Sequence, residues 1–369
     1  MDPTQTNRIL LRRVAAAATA VLLVTGAFAC GSSGSDDAAD TTTTAAKASS
    51  TTTSTSDGDV ADGPTTIPVG DIQASTVDDQ TVGMPASSLD LTKLPLGNQH
   101  QTTDGAKKGY VYACRERQGG PPVTIPPWVD EEAGTWNAVE KLASGGEVHW
   151  ESEFEATTAD DEVNLKGNNL PPRSGTFPVE ETDPSYPWNP NPGSIEAKEF
   201  DITITATPEL TGEASCIGGN VGIMADGVVM LDAMDAGGYD AGAVEVQDTC
   251  HGHPNGGTGY HHHSLSPCWL SDEARTETTQ VGWAMDGFGI YVEYDEDGNL
   301  LTNDDLDDCH GRTSTVPWQG ELVEIYHYAM TYEYPYTVGC FMGTPATAGQ
   351  EPGGGAPEGG PNGGPVAGG

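Results

Sequence analysis

In 369 residues the chain sets 55 acidic side chains against 15 basic ones, a formal net charge of −40, and only 36% of it is apolar, with 48 Gly and 26 Pro. A chain this acidic cannot hold nucleic acid by displacing counterions, and it is too polar and turn-rich for one continuous core along its whole length. Every Phe, Trp and Tyr except Phe28 lies between Tyr110 and Phe341, so a single folded domain is expected over residues 106–345.

Residues 1–29 read as an export signal. Arg8, Arg12 and Arg13 precede an uncharged apolar run, Val14 to Ala29, which is shorter than a membrane span. The run ends at Cys30, followed by Gly31, Ser32, Ser33 and Gly34. This resembles a bacterial lipoprotein signal, which predicts acylation of Cys30 and a lipid anchor in the membrane. Ala27 and Phe28 depart from that pattern, and Ala27-Phe28-Ala29 would also suit ordinary cleavage and secretion. Residues 30–105 contain no aromatic residue and are rich in Thr, Ser and Asp. They are expected to form a disordered tether, and the Gly/Pro-rich residues 346–369 a flexible tail.

The domain is expected to be mainly β, with α+β as the alternative. Phe200, Ile202 and Ile204 alternate with Asp201, Thr203 and Thr205, the period of a strand with one buried face. Further strands are predicted at 110–114, 148–154, 221–230, 281–294 and 322–332, with short helices at 135–142 and 272–278. Of seven cysteines, acylation of Cys30 would leave an even set: Cys114, Cys216, Cys250, Cys268, Cys309 and Cys340. Sequence order favours the short closures Cys250–Cys268 and Cys309–Cys340, leaving Cys114 with Cys216. The acidic run Asp295 to Asn299 reads as a turn, because Leu300 stands where a calcium loop needs Gly.

The chemistry lies in the histidines. His251 and His253 flank Gly252, while His261, His262 and His263 follow Tyr260. His310 follows Cys309, and His327 stands between Tyr326 and Tyr328. On an extended chain residues i and i+2 share a face, so His261 and His263 project together. Imidazoles from neighbouring strands are how a β scaffold builds a zinc or copper site. The expected ligands are His253, His261, His263 and His327, with His251, His262 and His310 as weaker candidates. Asp248 and Asp307 could orient imidazoles or cap the following turn.

An internal pseudo-repeat accompanies them. Asp248-Thr-Cys-His-Gly-His253 matches Asp307-Asp-Cys-His-Gly-Arg312, and each copy runs on to a Tyr-His segment and a closing cysteine. Arg312 and Ala329 replace histidines in the second copy, which predicts one metal site rather than two.

At these residues the chain resembles the bacterial YHYH-domain proteins. The resemblance includes GNNLPPRSGTFPV (167–179), NPNPGSI (189–195), Cys250 to Pro254, GWAMDGFGIY (282–291), LDDCHG (306–311) and YPYTVGCFMG (334–343), across residues 108–345. The signatures here read Tyr-His-His-His (260–263) and Tyr-His-Tyr-Ala (326–329). The resemblance implies an exported, often lipid-anchored protein and supplies no biochemical activity. Three functions compete: a surface-held metal-binding domain, a metal-dependent hydrolase with Asp286 as acid or base, and a structural or adhesive module. The sequence contains no GxSxG elbow, HExxH helix, phosphate loop or dinucleotide fingerprint, which favours the first.

Overall fold

The computed structural model describes residues 81–118, 123–188, 193–257 and 259–346. The export signal, Cys30 and the tail beyond 346 lie outside the described residues. Strands dominate, and the only α-helix among the described residues is a single turn, Ala241–Val244. No helix there is long and apolar enough to cross a membrane.

The largest sheet has eight strands, numbered here in chain order: β1 (Asn220–Met224), β2 (Val229–Leu231), β3 (Gly252–Asn255), β4 (Gly259–His262), β5 (Thr279–Ala284), β6 (Gly289–Val292), β7 (Gly311–Trp318) and β8 (Glu321–Ala329). Their spatial order is β3-β4-β2-β1-β5-β6-β8-β7. The central seam is the antiparallel pair β1 and β5, with Ile223 opposite Trp283. Outward from that seam both halves meet the same pairings. A hairpin comes first (β1–β2, β5–β6), then a parallel pair (β2 with β4, β6 with β8), then an outer hairpin (β3–β4, β7–β8).

The inner hairpins turn at Asp226-Gly227 and Asp286-Gly287, where the glycines take φ of +81° and +91°. An Asp-Gly pair suits such turns because Gly adopts positive φ without steric cost. The predicted strands 221–230 and 281–294 are therefore hairpins. Of the two predicted helices, 272–278 forms only turns. In the other, Thr135 and Trp136 pair with Leu94–Pro95 and Val129–Asp130, so tertiary pairing overrides local helix preference.

A second, three-stranded sheet joins Phe154–Ala159, Glu162–Gly167 and Phe200–Thr205. Its alternating residues Phe200, Ile202 and Ile204 are buried, while Asp201 is exposed. They pack into one core with Val221, Ile223, Met230 and Ile290 from the large sheet. The folded chain begins before the expected boundary at 106. Leu94 and Leu96 are buried, since leucines without aromatic company still gain from leaving water.

Disulfides join Cys114 to Cys216, Cys250 to Cys268 and Cys309 to Cys340, the short closures that cysteine order favoured. Three such bonds point to an oxidising, extracytoplasmic compartment.

Candidate metal centre

The β3–β4 hairpin sets His253 directly opposite His261. Side chains of directly paired residues lie on the same face, and His263, two residues past His261, returns to that face. The result is a group of three imidazoles, each 3% exposed or less, with one nitrogen apiece lying within 4.8 Å of the others.

Backbone carbonyls fix the tautomers of two rings. A carbonyl only accepts, so His261 Nδ1–H donates to the Gly259 oxygen (3.0 Å) and His263 Nδ1–H to the Asp232 oxygen (2.5 Å). Each neutral ring then presents its Nε2 lone pair, and the two Nε2 atoms lie 3.1 Å apart. Burial holds both rings well below the ordinary imidazole range and lowers His253 to about 3. Neither ring nitrogen of His253 has a hydrogen-bond partner. The Asp232 carbonyl is itself held in place, because the Asp232 carboxylate pairs with Arg117, which also donates to the Met234 oxygen (2.9 Å).

A fourth group was missed in the sequence. Glu245 follows the single helical turn, its backbone N–H capping the Ala241 carbonyl. Its Oε2 lies 3.0 Å from His253 Nε2 and 3.4 Å from His263 Nε2, yet it makes no aligned hydrogen bond. Burial raises the Glu245 carboxyl above its usual range, against the pull of His263 and Lys141. The signal available was a charged residue inside the apolar run Ala241–Val246. Lys141, lowered to about 8 by burial, spends its amine on the Gly242 oxygen (2.5 Å) and Gln247 Oε1 (2.8 Å).

The remaining candidates are placed elsewhere. His327 lies on β8, five strand spacings from β4, on the order of 24 Å. Its Nε2 meets Glu293 Oε2 at 2.9 Å. The structure therefore does not bring it to the other three as a ligand. His262 points to the opposite face, between the His251 carbonyl and Asp226. His251 bonds the Leu265 carbonyl and His310 bonds Thr331. Asp248 and Asp307 orient no imidazole. Each caps the following turn by accepting from the cysteine and glycine N–H groups that follow it. Asp286 is buried and engaged by Tyr328 Oη–H (2.6 Å) and Gly343 N–H (2.9 Å).

Residues 201–301 match the model of the YHYH protein family, and the chain thus carries a YHYH protein family domain. The match is shorter than the 108–345 stretch over which the motifs suggested a resemblance. It contains Glu245, His253, His261 and His263 and stops before His310 and His327. No curated protein and no solved structure matches the chain.

Proposed function

We propose that this protein is an exported domain, held at the cell membrane by a lipid on Cys30, that binds one zinc or copper ion through His253, His261 and His263. The observation that carries the metal reading is the 3.1 Å approach of the His261 and His263 Nε2 atoms. With both Nδ1 protons committed to carbonyls, two lone pairs face each other in a dry site. That contact is repulsive unless a cation lies between them, and neutral imidazole is a favoured ligand for zinc and copper. The anchor rests on the basic, apolar and Cys30 sequence, and on Cys30 being the one cysteine left when six pair.

The matching pairings in the two half-sheets, together with the two Asp-x-Cys-His-Gly turns, support an internal duplication of which one copy keeps the metal ligands. A hydrolase would need an open coordination position for water. The near-complete burial of all three histidines favours a site that stabilises the fold.

Elemental analysis of the purified protein should find one metal ion per chain, and chelation should lower its melting temperature. A variant carrying His261→Ala and His263→Ala should hold no metal and melt at the same temperature with or without chelator. Sub-stoichiometric metal in the wild type after zinc or copper loading would refute the site.

A further inference from the structure

We propose that Glu245 is the fourth ligand, closing the three-histidine site into a tetrahedral, water-free N3O centre whose metal is zinc. This rests on the metal reading above and adds the missing donor, the coordination geometry and the metal.

Tetrahedral bonds of about 2.0–2.1 Å place neighbouring donor atoms roughly 3.3–3.4 Å apart. Three contacts in the cluster lie near that spacing: 3.1 Å between His261 and His263, 3.0 Å between Glu245 and His253, and 3.4 Å between Glu245 and His263. The 3.1 Å contact joins two lone-pair nitrogens once both Nδ1 atoms carry the ring protons. Glu245 Oε2 and His253 Nε2 are both buried without a hydrogen bond despite their 3.0 Å separation, the arrangement expected of atoms aimed at a common centre.

Charge makes the same demand. Among the described residues, the only basic groups within ion-pair reach of Glu245 are His253 and His263, and the nearby Lys141 amine is engaged by Gly242 and Gln247. A buried carboxylate among neutral imidazoles is costly alone, and a divalent cation supplies the missing positive charge. The carboxylate in turn halves the charge the cation would bury. Its position is set by the backbone, since the Glu245 N–H caps the helical turn at Ala241. Three imidazoles and one carboxylate oxygen in a closed tetrahedron suit zinc, whereas cuprous copper prefers softer sulfur donors and cupric copper a tetragonal field.

The test uses the full chain and its Glu245→Gln and Glu245→Ala variants, loaded with zinc or with cobalt(II) as a spectroscopic substitute. The wild type should give the intense visible bands of four-coordinate cobalt. Both variants should bind zinc at least tenfold more weakly, and Glu245→Ala should show the weaker bands of a site opened to water. The apo proteins supply a readout that a merely structural glutamate would not. With chelator, Glu245→Gln should melt at or above the wild type, because an uncompensated buried charge is gone, and with zinc it should melt below. Wild-type zinc affinity and cobalt spectrum in both variants would remove Glu245 from the site and leave the three-histidine reading standing. A wild type that binds neither metal would overturn the metal reading itself and this inference with it.

Discussion

Asp248 shows how much of the site depends on one side chain that never touches it. Its carboxylate accepts from the N–H groups of Cys250 (2.8 Å), Gly252 (3.2 Å) and Gly175 (2.8 Å) and from Tyr260 Oη–H (2.9 Å). It thereby fixes the turn in which His251 takes φ of +56° and from which β3 carries His253. Asp307 does the corresponding work in the Asp307–Gly311 turn with fewer partners: Cys309, Gly311 and Tyr326. Asp248→Ala leaves one more buried donor unpaired, so it should cost about 3–4 kcal/mol, about 1 kcal/mol more than Asp307→Ala, by urea denaturation of the metal-free protein. Equal costs would mean that the Gly175 bond contributes little. At this scale His261 and His263 were legible, because i, i+2 spacing in a strand puts them on one face whatever the fold, and the short Cys250–Cys268 closure brought His253 near them. Glu245 and the true place of His327 were not, because they depend on which strands become neighbours.

At the scale of elements, the second half-sheet has the framework of the first with different chemistry. Arg312 sits opposite His327 as His253 sits opposite His261. His327 Nδ1 meets the Ile325 carbonyl (3.1 Å) as His261 Nδ1 meets that of Gly259 (3.0 Å). Where the first half gathers three histidines, the second has Glu293, 2.9 Å from His327 Nε2 and 3.9 Å from Arg312 Nε, so a guanidinium supplies positive charge beside the carboxylate. Placing histidines at the matching positions by Arg312→His with Ala329→His should therefore let the chain take up two zinc ions in place of one, read by elemental analysis. Ala329 is fully buried against Leu301 and Leu306. The larger ring should thus lower the apo stability by about 1–3 kcal/mol, and zinc should recover part of that loss. Continued binding of a single ion would show that the correspondence ends at the backbone. The strand at Phe200–Thr205 was readable from its period of two. The turns at Gly227 and Gly287 were overlooked because the runs around them are apolar on both sides, as strands buried on both faces are.

For the whole molecule, the aromatic residues marked the core but not its edge. Residues 81–105 carry no aromatic side chain, yet they are fastened across the fold. Leu94 and Pro95 pair with Trp136 and Thr135, Gly97 N–H donates to Asp240 Oδ2 (2.9 Å), and Tyr332 Oη–H donates to the Pro85 carbonyl (2.6 Å). Gly97 also lies so close to the Tyr334 ring that no Cβ would fit. Burying a leucine stabilises by about 1.5–3 kcal/mol, so losing Leu94 and Leu96 removes on the order of 3–6 kcal/mol before the hydrogen bonds are counted. A domain of this size has a net stability of only about 5–15 kcal/mol. A fragment of residues 81–346 should accordingly fold with all three disulfides and melt like the full chain, whereas 106–346 should melt at least 10 °C lower or fail to fold. The Cys114–Cys216 bond, which closes a separation of 102 residues, cannot compensate for the shorter fragment, because a cross-link restricts the unfolded chain without covering the apolar surface that Leu94 and Leu96 protect. Thermal melts of the two oxidised fragments decide the matter, and coincident melting temperatures would return the boundary of the domain to residue 106.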